Sequence, residues 1–175
     1  YLAIDNVDNE KWIWENEGLH MDQIPKFSVE WVEYFGQPIR LSQIVPITVY
    51  QQTAYSLVAE TNFENHYVCF TEKIVKPLLA RRLFIIVGNR YSLRTLKQLG
   101  FKTFDSIIDE SYDDIEDPVL RMKAIGETMS KICSYSESEL YDMLQEMSPV
   151  LEHNYNRFYS NEFLDYCWDE LITNI

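Results

Sequence analysis

Residues 54–88 read AYSLVAETNFENHYVCFTEKIVKPLLARRLFIIVG, and the fold turns on this stretch. The run 83–87, LFIIV, is short, largely β-branched and stopped by Gly88, so it predicts a strand buried on both faces. The run 54–59, AYSLVA, predicts a second strand. Between them, 71–80 carries Ile74, Val75, Leu78 and Leu79 on one helical face. Pro77 implies a kink, or a helix that begins late enough to hold it in the first turn. Working outward, 92–99 predicts a helix with Leu93, Leu96 and Leu99 on one side, stopped by Gly100. Residues 101–104 predict a third strand. Strands alternating with helices in this way are the pattern of an α/β domain, a short parallel sheet flanked by helices.

The chain beyond turns helical. After an acidic loop, 105–117, a helix over 118–133 opens with Asp117 as cap and Pro118 in its first position. Further helices are expected over 138–159 and 161–172. Tyr141, Met147, Leu151, Tyr155, Phe158, Phe163 and Trp168 are expected to pack them over the sheet. The first 50 residues read differently. They hold Trp12, Trp14 and Trp31, broken by Pro25, Pro38 and Pro46. A short helix capped by Ser28 is expected over 28–35, and extended chain over 39–50. This divides the chain into an aromatic-rich segment, 1–50, and an α/β domain, 51–175, with a helical C-terminal third. The chain opens on Tyr1 rather than Met, so a fragment or processed chain is expected, and 1–50 reads as a remnant of a linker or of a missing domain.

Twenty-eight acidic residues against 15 basic ones give a net charge of −13 over 175 residues, which argues against general nucleic-acid binding. The charge is uneven. Residues 51–104 are net +5, between segments of −5 and −13, so an anionic ligand is expected in the middle. The longest apolar run falls far short of the ~20 residues of a membrane span. Cys69, Cys133 and Cys167 are odd in number and lack CxxC spacing, which points to a reducing, cytoplasmic setting with buried or idle thiols. His20, His66 and His153 lack HExxH spacing, and no metal or other cofactor is expected.

The polar loop after 54–59 leaves the carboxyl end of a strand, where open parallel sheets bind ligands. It enters a helix whose N-terminus attracts anions. Lys73 and Lys76 share a helix face and, with Thr71, could hold a diphosphate. Glu60 and Glu72 could accept hydrogen bonds from a ribose diol. An ordinary Glu72–Lys76 surface pair is the plainer alternative. No GxGxxG and no GxxxxGK[ST] occurs.

These residues resemble the donor-binding half of GT-B glycosyltransferases, the α-1,3-fucosyltransferase type in particular. The match lies in Glu60 ending a strand, Thr71-Glu72-Lys73 opening a helix, and a following strand ending in Gly88. Lys76-Pro77, the segment 100–104 (GFKTF) and the segment 109–113 (DESYD) also resemble bacterial and phage glycosyltransferase sequences. The likeness covers roughly residues 50–160. It implies a Rossmann-like domain and a nucleoside diphosphate sugar as ligand, a GDP-sugar being favoured. Glu60, Glu72 and Lys73 would bind it, with Thr61, Thr71 and Lys76 beside them. Thr61 stands where fucosyltransferases carry Asn, so the likeness points to a nucleotide sugar more than to fucose. GT-B enzymes have two such domains and the other usually supplies the catalytic base. No catalytic residue is therefore assigned, and the isolated chain is expected to be inactive without an acceptor domain or a second copy of itself.

The alternative is a non-catalytic acidic module that binds a protein partner through its tryptophans. Among lesser candidates, the acidic run from Asp109 to Asp117 is expected to be a solvated loop rather than a cation site. His66 and Tyr67 could stack on a base, and His153 is expected to serve packing or the helix surface.

Overall fold

The structure, a computed structural model, describes residues 31–34, 37–40, 45, 47–64 and 67–173. The chain divides into two units, Tyr1–Thr53 and Ala54–Ile175.

In the first unit, β1 (Trp31–Tyr34) pairs antiparallel with β2 (Gln37–Arg40), Trp31 opposite Arg40. The helix expected over 28–35 is therefore a strand where it is described, and 28–30 and 35 lie outside the described residues. Trp, Val and Tyr favour a pleated strand over a helix. Of the extended chain expected over 39–50, Ile39 and Arg40 are extended, 41–44 and 46 lie outside the described residues, and 47–50 belong instead to α1 (Ile47–Gln51), a single helical turn. Its β-prone residues are overridden by local bonds: Gln52 N–H donates to Val49 O at 3.0 Å, and Thr53 donates from N and Oγ1 to Tyr50 O.

The second unit is built on β3 (Tyr55–Ala59) and β4 (Leu83–Val87), paired parallel with Tyr55 opposite Leu83 and Ala59 opposite Val87. Leu83 to Ile86 are all buried, as the continuous apolar run requires. The crossover helix α2 (Glu72–Leu79) begins at its expected place, capped by the Thr71 side chain. Pro77 is buried inside it, not in its first turn, and the helix ends soon after. Arg82 N–H donates to Pro77 O, and Arg81 takes a left-handed φ of 51°. Next comes α3 (Ser92–Gln98). Gly100 follows with φ 87°, where a Cβ would stand 2.6 Å from Arg157 Nε.

Residues 101–104 form no strand. Side chains occupy backbone groups that a neighbouring strand would take. Asn154 accepts from Lys102 N–H at 2.8 Å and donates to Lys102 O at 2.9 Å. Glu110 accepts from Phe104 N–H at 2.7 Å. A 3-10 turn (Ser111–Asp114) leads to α4 (Pro118–Cys133), capped by Asp117.

The long helix expected over 138–159 is two, α5 (Glu137–Glu146) and α6 (Ser148–Phe158). Pro149 explains the break: it lacks an N–H and sits in the first turn of α6. Ser136 and Glu139 close a capping box on α5, and α7 (Asn161–Thr173) ends the described chain.

The core joins β4 to Val58, Ile74, Leu78, Leu93 and Leu96, then to Phe101, Phe104, Ile125 and Leu151 from the chain beyond. Phe84 and Phe104 meet edge to face at 4.8 Å. Of the expected packing residues, Met147 and Leu151 are buried and Phe158 and Phe163 partly so. Tyr141 and Trp168 are each 62% exposed, on the outer faces of α5 and α7. Among the described residues the second unit is thus α/β with a two-stranded parallel sheet, and mostly helical. No helix among them is long and apolar enough to cross a membrane.

Candidate functional site

Glu60 is the first residue past β3, and its N–H extends the ladder to Val87 O at 2.9 Å. That bond turns its largely buried carboxylate toward the start of α2. Oε1 accepts from Thr71 N–H at 3.2 Å and Oε2 from the Thr71 hydroxyl at 2.6 Å. Thr71 Oγ1 in turn accepts from Lys73 N–H at 3.3 Å, the ordinary N-cap bond. Lys73 Nζ donates to Thr61 Oγ1 at 3.3 Å. One corner therefore collects Glu60, Thr61, Thr71 and Lys73.

Two residues of the expected set stand apart from these bonds. Glu72 is exposed. Lys76 is half-buried a turn further on, and burial pulls its ammonium down while Glu72 opposes the shift. The corner also carries its own anion: the Glu60 carboxylate lies against the start of α2, where a phosphate was expected. Each carboxylate oxygen still has a second lone pair, so hydroxyl donors can be accepted there.

Beside the corner lies a cleft of about 550 Å³, lined by Phe63, Glu64, Tyr67, Arg90, Tyr91 and Arg121 among others. Gly88, the first residue past β4, connects the two. A Cβ there would stand 3.6 Å from Glu60 Cβ and 3.0 Å from Ser92 Oγ, a tight approach that glycine relieves. The Gly88 carbonyl accepts from Arg121 Nε at 3.3 Å.

Arg121 is 3% exposed and ties three segments together. It donates to Ile115 O at 2.8 Å, to Glu116 O at 3.1 Å and to Phe63 O, and it lies over the Phe63 ring. Burial pulls its guanidinium down, although Asp113 and Glu64 oppose this through space. Asn89 donates to Tyr67 O, which fastens the loop after β3 to the end of β4.

Arg90 is aimed by Asp114 O, 2.9 Å from Nε, and by the Tyr91 ring, 4.4 Å away. Its Nη1 donates to Glu116 Oε2 at 3.2 Å. Arg94 lies over the same ring at 4.0 Å. Tyr91 holds a left-handed φ of 70°, a strained position for a residue with a Cβ.

Of these cleft residues only Tyr67 was singled out from sequence; His66 lies outside the described residues. Arg90 belongs to the basic middle, which was the available signal. Arg121 stands nearly alone as a base in an acidic third and carried no motif.

The acidic run is not solvated throughout. Glu110 accepts from Thr103 Oγ1 at 2.6 Å as well as from Phe104 N–H, and Asp113 caps α3 through Leu93 N–H and Arg94 N–H. Burial pushes both carboxyls up. No group of metal-ligating side chains occurs among the described residues. All three cysteines are free and exposed, so of the expected buried or idle thiols none is buried. Cys133 ends α4 with its Sγ 3.0 Å from the Tyr55 hydroxyl, and that contact pushes the phenol up to about 12. His153 Nε2 meets Gly100 O at 2.9 Å, a structural contact.

Comparison of the chain with family models, with curated proteins and with solved structures finds no match in any of the three.

Proposed function

We propose that the second unit is the donor-binding half of a GT-B glycosyltransferase. It would be a Rossmann-like domain that holds a nucleoside diphosphate sugar, a GDP-sugar being favoured, at the carboxyl ends of β3 and β4. The supporting observation is the corner itself: Glu60, Thr61, Thr71 and Lys73 are linked by hydrogen bonds where a parallel strand meets the next helix. The reaction breaks the bond between the sugar's anomeric carbon and the diphosphate oxygen, and forms one to an acceptor hydroxyl. The diphosphate leaves with the electron pair, and the Lys73 ammonium stabilises that charge. Glu60 takes ribose hydroxyls on its remaining lone pairs. A second domain, or a second copy of the chain, supplies the acceptor and the base. A cytoplasmic setting agrees with three free exposed thiols.

Calorimetry against GDP-, UDP- and CDP-sugars tests the reading. Saturable binding of one nucleotide class is expected, and no binding at millimolar concentration overturns it. A second reading, a module that binds a protein partner, draws on Val119, Leu120 and Met122, exposed together at the start of α4. Full donor binding by a variant with all three changed to Ser would set that patch apart from the site.

A further inference from the structure

The corner leaves a question of charge. The start of α2 already holds the Glu60 carboxylate, and Lys73 brings a single cation. A diphosphate needs more positive charge than that, and the neighbouring cleft supplies it in two forms.

Arg121 is the first. Its hydrogen bonds go to carbonyls, those of Phe63, Gly88, Ile115 and Glu116. Carbonyl partners satisfy the donors without pairing the charge, and the Asp113, Glu64 and Asp117 carboxylates oppose it only through space, with Glu64 on the cleft wall.

Arg90 is the second, and it is already paired. The Asp114 carbonyl and the Tyr91 ring fix its direction independently of Glu116. The Glu116 carboxylate then takes Nη1 from solvent, at 86% exposure against 35% for the arginine. A pair this open is weak and easily exchanged. Arg121 also holds the Glu116 carbonyl at 3.1 Å, so the backbone stays anchored while the side chain is free to rotate.

We propose that Glu116 is a resident competitor for Arg90: it occupies the anion position of the cleft, and a ligand's phosphate enters by displacing it. The inference rests on the nucleoside diphosphate reading for the identity of the ligand. A phosphate carries more charge and more acceptor oxygens than the carboxylate it replaces, so it wins the guanidinium. A neutral or singly charged sugar does not. The contact thereby selects for charge. Tyr67, 63% exposed on the cleft wall, offers a ring face to the base.

The experiment is calorimetry on the full chain with two probes, inorganic pyrophosphate and GDP or UDP. The variants are Glu116→Gln, Arg90→Ala and the double change. Glu116→Gln alters an exposed side chain and keeps its shape. It is expected to bind pyrophosphate threefold to tenfold more tightly than the parent. Arg90→Ala is expected to bind roughly tenfold more weakly, with Arg90→Lys intermediate. The double variant is expected to match Arg90→Ala, because Glu116 acts only through Arg90. If Glu116→Gln tightens binding equally with and without Arg90, the effect is general charge removal and the proposal is overturned. It is also overturned if Glu116→Gln binds no more tightly than the parent, or if no variant binds either probe. If pyrophosphate follows the expected pattern while no nucleotide binds, the competitor stands and the donor reading falls. If nucleotides bind with no coupling between the two residues, the donor reading stands and the competitor falls.

Discussion

Residues 54–88 and residues 101–117 sit against the same core but are held in place by different bonds. In the first region the backbone pairs with backbone, β3 to β4 from end to end, and apolar runs decide which faces are buried. In the second, side chains take over. Asn154 holds both groups of Lys102, Glu110 holds Phe104 and Thr103, and Asp113 holds the start of α3. The first kind of order is local and repeats along the chain. The second depends on single residues, one of them 52 positions away in sequence.

Substitution should expose that difference. The largest effect is expected in the first region. Ile85→Ala removes a fully buried side chain from the centre of β4, and urea unfolding should show a loss of about 3–5 kcal/mol. A loss below ~1 kcal/mol would mean that β4 is not central to the core. Asn154→Ala comes next, at about 2–4 kcal/mol, because it leaves a buried N–H and a carbonyl without partners. If it proves neutral, water replaces the amide and the contrast between the regions weakens.

The donor corner gives a smaller effect, read as affinity. Lys73→Ala should weaken binding of the preferred nucleotide sugar by roughly tenfold to 150-fold, the worth of one charge-assisted contact. Lys123→Ala, at an exposed lysine of α4, should change it by less than about twofold. Equal binding by the two variants would move the site away from Lys73.

The smallest effect is a pH slope. Burial raises the folded pKa of Glu110 above its ordinary 4.5. The folded state then holds this proton more tightly than the unfolded chain does. Glu110's contribution to stability is therefore full below pH 4.5 and is lost as pH rises through the folded value. Glu110→Gln should remove that part of the slope, seen as the difference between two stability–pH curves. Parallel curves would show that the carboxyl titrates alike in both states.

How much was legible follows the same division. The strands at 55–59 and 83–87, their parallel pairing, and helices α2, α3, α4 and α7 announce themselves through periodicity, a cap or a proline. Residues 101–104 have the composition of a strand, and nothing nearby says that an asparagine in α6 will occupy their backbone. Pro149 did mark the break between α5 and α6, but apolar periodicity ran straight across it. Around the candidate site, Glu60, Thr71 and Lys73 were readable because they lie within one strand–loop–helix passage. Arg90 and Arg121 come from the end of one strand and the start of a distant helix, and only the folded chain sets them around one cleft.

The amide of Asn154 has a consequence outside the fold's own stability. A stretch whose backbone groups are left unpaired is a template on which another chain can add as a strand, and proteins guard such edges with charge, proline or cover. At 101–104 side chains take up those groups, Asn154 both of Lys102 and Glu110 the N–H of Phe104. The bonds that close the fold here are the ones an adding strand would need.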